Sequence, residues 1–293
     1  MTVKSRNLLW VGAFGMLFAG AHVASAQTQQ PQPQQQQQQQ PEKKDEAPAS
    51  NTTGLTLDAA PPPVNAEEDN AFTEFQAVSK GDAAKKISAG EDFLKKYPGS
   101  RYRPPIYSTL VVAYLQTGQT QKALDVGDME VELKPDDVGT LALLCQVIPR
   151  TVNASTPSPQ KQLDKAENYG KRALEITPTM AKPDGMTDEQ FTTAKNQTLS
   201  IAHSGLGLVN LQHGKFTEAI SSLETSIRLD PNTTPDPVSY FLLGVADQKA
   251  AHFDAAVAAF TKCANIEGAL KDRCKASAEE AKKQGATQLS APN

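Results

Sequence analysis

Three histidines follow residue 26, namely His203, His213 and His252, and they are the first place to look for chemistry. An imidazole that binds metal needs cysteines or carboxylates at ligand spacing, and no such cluster joins these three in the sequence. His213 and His252 are read as solvated residues at turns between helices. Ser204 beside His203, and Ser200 nearby, lack the strand–turn–helix elbow that exposes a serine nucleophile. Gly205-x-Gly207 sits in a helical pattern with no preceding strand, so it is no phosphate loop. Glu279-Glu280 and Asp136-Asp137 read as helix-face and helix-start charges. The expectation is a non-enzyme with no catalytic residue, no cofactor and no metal ligand.

The cysteines divide into a pair and a single residue. Cys263 and Cys274 lie about equally far from a turn near Gly268, so antiparallel helices on either side could bring them together. In an oxidising compartment the pair could bond, stabilising by roughly 2–3 kcal/mol through loop closure. Both are also natural small residues for a packed helix interface, and the spacing leaves the two readings open. Cys145 is expected as a buried small apolar residue.

The elements that must carry these residues are clearest from Ser200 to Pro231. Leu206-Gly207, Gly214-Lys215-Phe216, Ala219 and Asp230-Pro231 fall where two short helices turn and cross. Apolar residues recur at helical spacing at Ile201, Leu206, Val209 and Leu211, then at Phe216, Ile220, Leu223 and Ile227. Asp230-Pro231 ends the second helix, because proline lacks a donor and clashes with the preceding turn. The same skeleton returns at Leu243-Gly244, His252-Phe253, Ala256 and Phe260. Gly244 follows Gly207 by 37 residues, against a period of about 34 in tetratricopeptide arrays.

These residues resemble the tetratricopeptide repeat (TPR) family, in its exported bacterial variety. The resemblance implies an all-α fold, a right-handed solenoid of about five helical hairpins closed by a carboxyl-terminal capping helix. The first hairpin is expected from about Glu67 to Pro98, with Lys86 and Gly90 in place of the usual small and aromatic residues. The second contains Tyr107, Leu110, Val111, Tyr114, Gly118, Ala123 and Leu133. The third is expected to be broken at Pro149, Pro157 and Pro159 by a loop over about 150–160. Thr187-x-x-Gln190 reads as a capping box that opens the long helix running into the 200s. A polar closing helix follows from Ala269 to Lys283. Phe93 to Gly118 is similar to a TPR variety found in envelope proteins, among them the periplasmic partner of the Tol-Pal system and outer-membrane assembly lipoproteins. The first cysteine is Cys145, so the lipid-attachment cysteine of the latter group has no counterpart.

Outside the repeats, Lys4 and Arg6, an apolar run from Leu8 to Ala21 and Ala24-Ser25-Ala26 read as a signal peptide over 1–26. Residues 27–65 are Gln- and Pro-rich and predict a disordered tether. The repeat domain is expected over 66–285 and a flexible tail over 286–293. The chain has 293 residues, 39% hydrophobic and 21% charged, with a formal net charge of −4. Loss of Lys4 and Arg6 makes the charge more negative, which argues against nucleic acid as a partner. No later stretch is long and apolar enough to span a bilayer. The sequons at Asn51, Asn153, Asn196 and Asn232 are read as chance. The expected location is a bacterial periplasm or the exterior.

What the family resemblance implies for function is a non-catalytic scaffold that holds a peptide or protein through the concave face of its first helices. Family members that clamp a terminal carboxylate use Asn and Lys there. Here Val112, Leu208 and Val245 stand in those places, with Leu115, Leu211 and Phe241 nearby. The expected floor is therefore apolar, edged by Gln116, Gln212, Gln248 and Lys249, and suits an amphipathic helix or an extended apolar peptide. Phe191 to Leu199 could instead fill the groove from within the chain. An accessory subunit of an envelope enzyme, or of a secretion or outer-membrane assembly, is the alternative role.

Overall fold

Helix starts and stops follow local capping chemistry. A computed structural model describes residues 65–232 and 236–289. The expected signal peptide and tether lie outside the described residues, apart from Asn65. Eleven α-helices are described: α1 Ala66–Ala77, α2 Ala83–Lys96, α3 Arg103–Gln116, α4 Thr120–Leu133, α5 Val138–Thr151, α6 Pro159–Ile176, α7 Asp188–Gln212, α8 Phe216–Leu229, α9 Pro237–Lys249, α10 Phe253–Ala264 and α11 Lys271–Leu289. No strand occurs among the described residues. Asp82, Asp137 and Asp236 cap α2, α5 and α9, each accepting from a backbone N–H of the first turn. Thr187 and Gln190 form the capping box at the start of α7, satisfying donors that the helix itself leaves unpaired.

The hairpin turns α3/α4, α7/α8 and α9/α10 share one design. Gln119, Lys215 and His252 each donate N–H to a carbonyl five residues back, on Tyr114, Asn210 and Asp247, at 2.8, 2.9 and 2.8 Å. The residue before each donor is left-handed: Gly118 and Gly214 at φ 73°, and Ala251 at φ 61°. Glycine adopts this conformation freely, whereas alanine carries a Cβ that crowds the backbone.

From α3 to α10 each helix packs on its hairpin partner, and each second helix also covers the next first helix, while α1 meets α2 through Phe72 against Phe93. The helices fall in one unit, Glu67–Asn293. Phe75, Ile87, Phe93, Ile106, Leu110 and Tyr114 form one cluster, and Leu141, Leu144, Ile148, Ala166, Ala202 and Val209 a second. Leu223 with Leu242, and Phe241 with Phe260, anchor the two that follow. At the crossings, a Cβ on Gly207 would lie 2.6 Å from Leu223 Cγ, and one on Gly244 2.6 Å from Phe260 Cδ1.

In the third hairpin the expected long connection is present, longer than the turns at 117–119, 213–215 and 250–252, but Pro149 does not end α5. Pro149 lies buried inside α5, and the connection to α6 spans 152–158. Proline at 149 leaves the Cys145 carbonyl without its usual helical donor, and α7 packs there at Gly205. A Cβ on Gly205 would lie 2.8 Å from that carbonyl oxygen. The segment Phe191 to Leu199 does not fill a groove: Thr192, Thr193 and Ala194 are exposed, and Lys195 bonds the Pro178 carbonyl at 2.8 Å. Residues 286–289, expected in the tail, belong to α11, and the rest of that tail lies outside the described residues.

Candidate functional site

The residues expected to line a groove all come from the first helices α3, α7 and α9, but they differ in availability. On α3, Val112 is 41% exposed and Gln116 is exposed beside it. Leu115 is half-buried against the first cluster. On α7, Leu208 and Leu211 are half-buried against Leu223, Leu242 and Ala246, and Gln212 donates to the Pro149 carbonyl at 2.8 Å. On α9, Val245 packs against the Phe260 cluster, whereas Lys249 is exposed.

Phe241 is a correction: only 5% exposed, it belongs to the core. The Arg273 guanidinium of α11 sits 4.5 Å from its ring centroid. Gln248 Nε2 likewise donates to Gln284 Oε1 of α11 at 2.9 Å. The closing helix thus covers part of the surface that the sequence assigned to a partner. Cys263 and Cys274 are bonded, with Cα atoms 5.8 Å apart, and fasten α11 to α10. Cys145 is free and fully buried, and burial pushes its thiol up to about 12.

His213 is a second correction. It caps the carboxyl end of α7, yet its side chain is only 8% exposed, with Asp164 and Glu167 of α6 on either side. Nδ1 is 3.7 Å from Glu167 Oε2, and Nε2 is 4.0 Å from Asp164 Oδ1. Gln160 Nε2 lies 2.9 Å from His213 Nε2. Lys171 pairs with the other Glu167 oxygen at 2.6 Å and is the first reason that this carboxyl lies below its ordinary range. The i, i+3 spacing of Asp164 and Glu167 was visible in the sequence, but nothing there placed them beside a histidine of the following helix. His252, by contrast, is 60% exposed at its turn, with Nδ1 3.7 Å from Asp247.

Two buried titratable side chains also escaped sequence reasoning. Lys86 Nζ donates to the Phe75 carbonyl at 2.5 Å and stands 4.4 Å from the Phe75 ring centroid, and its burial lowers its pKa. Glu130 is wholly buried between α4 and α5, accepting from Thr140 Oγ1 at 2.6 Å, while its Oε1 has no partner. Burial in this apolar setting pushes its carboxyl up to about 8, so it is neutral at pH 7.

Antiparallel helix pairs stacked in this way define a helical-hairpin repeat protein. Residues 202–233, covering the carboxyl-terminal part of α7 and all of α8, match the tetratricopeptide repeat family model. The chain thus carries a stretch that matches one tetratricopeptide repeat, set within helical hairpins. Its structure is similar to a thermophilic TPR protein from Thermus thermophilus, at 20% identity over 74% of this chain and 99% of that one, with a TM-score of 0.46. It is also similar to PilW, a type IV pilus biogenesis factor, at 16% identity, 78% and 94% coverage and a TM-score of 0.49. A tetratricopeptide repeat protein from Parabacteroides merdae gives 12% identity, 74% and 100% coverage and a TM-score of 0.35. No curated protein matches the chain. Among the described residues, no helix is long and apolar enough to cross a membrane.

Proposed function

We propose that this protein is a non-catalytic adaptor of the bacterial envelope that holds a peptide segment of a protein partner against its first helices. The observation that carries the reading is Val112, an apolar side chain 41% exposed on α3, with exposed Gln116 one turn on. Apolar surface edged by amide groups suits an amphipathic helix or an extended apolar peptide, whose backbone the amides can bond. Leu115, Leu208, Leu211 and Val245 form the half-buried base of this reading, with Gln212, Gln248 and Lys249 at its edge. Phe241 is excluded by its burial. The envelope location rests on the basic, apolar and small-residue sequence of positions 1–26.

A photo-crosslinking amino acid placed at 112 or 116 of the full chain tests the proposal in cells of the source organism. Crosslinks to one protein are expected from these positions and not from Glu132 on α4, and Val112→Glu should abolish them while leaving helicity unchanged. Equal labelling from 132, or capture that survives Val112→Glu, moves the partner to another surface.

A further inference from the structure

The corner where α6 meets the end of α7 carries donors that the adaptor role does not use. Asp164, Glu167 and His213 each offer a ligand atom, and the three atoms lie within 4.8 Å of one another. We infer that this corner is a binding site for a divalent transition-metal ion of the Zn²⁺ type.

The donor set selects the class of ion. One imidazole nitrogen and two carboxylate oxygens suit Zn²⁺, Ni²⁺ or Co²⁺, whereas Ca²⁺ takes six to eight oxygens. A tetrahedral ion with bonds of about 2.0–2.2 Å needs neighbouring ligand atoms roughly 3.3–3.6 Å apart. His213 Nδ1 and Glu167 Oε2, at 3.7 Å, are nearly there. Asp164 closes the remaining gap by a rotamer change, which its exposure permits, and a water completes the tetrahedron.

The surroundings prepare each ligand. Gln160 holds His213 Nε2 at 2.9 Å. Gln160 Nε2 also donates to Asp164 Oδ1 at 2.9 Å. Once Asp164 turns to the ion, the amide is free to turn end for end, accept from His213 Nε2–H and leave the Nδ1 lone pair for the ion, the arrangement that orients most histidine ligands. Lys171 occupies one oxygen of Glu167 and leaves the other facing the histidine. Lys171, and Lys215 close enough to act on Glu167, set positive charge against the ion and temper its affinity. The α7 end that His213 caps is a carbonyl terminus, where a cation is favoured. Because Asp164 and Glu167 belong to α6 and His213 to α7, a bound ion clamps the third hairpin to the fourth.

Calorimetric titration of the chelator-treated full chain with ZnCl₂ alone tests the site. One equivalent should bind and raise the melting midpoint, since an ion that binds only the folded state stabilises it. CaCl₂ should give no saturable heat. His213→Ala and Asp164→Asn should each weaken binding by roughly tenfold or more, a loss typical of damage to a metal site. Asp164→Asn changes an exposed atom and keeps the fold intact, so it remains decisive if His213→Ala unfolds. His252→Ala, at the other His–Asp pair, should bind as the wild type does. Absence of stoichiometric binding, or affinity unchanged by Asp164→Asn, overturns the site.

Discussion

At α2/α3 and α4/α5 the close approaches run across hairpins, whereas at α7/α8 and α9/α10 they run within them. Gly90 and Gly127 lie on second helices and receive Leu110 and Leu144 from the next first helix, with Cβ positions 2.9 and 2.7 Å from those side chains, while Gly170 meets both Cys145 of its own hairpin, at 2.6 Å, and Leu206 of the next, at 2.8 Å. Gly207 and Gly244 lie on first helices and receive Leu223 and Phe260 from their own second helices. Large and small partners have changed places. Gly90 and Gly127 gain their tightest contact from stacking neighbours, Gly207 and Gly244 from closing each hairpin on itself. The family match at 202–233 falls in the second kind. The difference teaches that one repeat architecture can place its required gap on either helix, provided that leucine or phenylalanine stands opposite.

The strongest way to break this contrast is Gly207→Leu. Forcing a branched side chain against Leu223 should cost about 3 kcal/mol in urea unfolding. The swap Gly207→Leu with Leu223→Gly should recover much of that loss. A double variant no better than the single would show that the two positions are not exchangeable.

The first half contains Glu130, fully buried at the α4/α5 crossing beside Thr140. Its carboxyl titrates near 8 in the folded chain against an ordinary 4.5. The folded state therefore holds the proton more tightly, and the stability this group contributes is full below about pH 4.5 and lost as pH rises through 8. Each unit of difference is worth about 1.4 kcal/mol, so a few kcal/mol are in play. Glu130→Gln should flatten that slope and leave the protein more stable than wild type at pH 8; an unchanged slope would assign it to other groups.

The disulfide belongs to the second half alone. Cys263→Ser with Cys274→Ser removes a link of sequence separation 11 and should cost roughly 2–3 kcal/mol. Hydrogen exchange should rise first in α10 and α11, with α2–α5 unchanged. The smallest effect is a gain: Ala251→Gly relieves a left-handed alanine and should raise stability by about 0.5–1 kcal/mol. A fall would mean that the Ala251 side chain makes a contact worth more than the strain.

Much of this was legible in the residues. Gly207 with Ala219 and Gly244 with Ala256 mark helix crossings because only small side chains let two helices nest. Cys263 and Cys274 fall symmetrically about a bend. Less legible was the first half, where Gly90 and Gly127 look like helix-weakening residues until their leucine partners, in the next hairpin, are known. Pro149 was read as a break because proline opposes helix locally, yet it lies buried inside α5, where Gln212 of α7 donates to its carbonyl. Phe241 looked like groove surface because nothing in the repeat pattern announces that α11 will cover it. The His213 corner was invisible for a related reason, since its donors are far apart in the chain and meet only through the packing of α6 on α7.

Periodicity, caps and stops are local properties, set by sterics and hydrogen bonding within a few residues, and these the chain announced by itself: the helices, their turns and the repeat. Which face remains open, which acid loses its water and which imidazole finds two carboxylates depend on what other helices bring to the same place. Solvent exclusion and charge proximity are properties of three-dimensional neighbourhoods, so only the packed structure decided them.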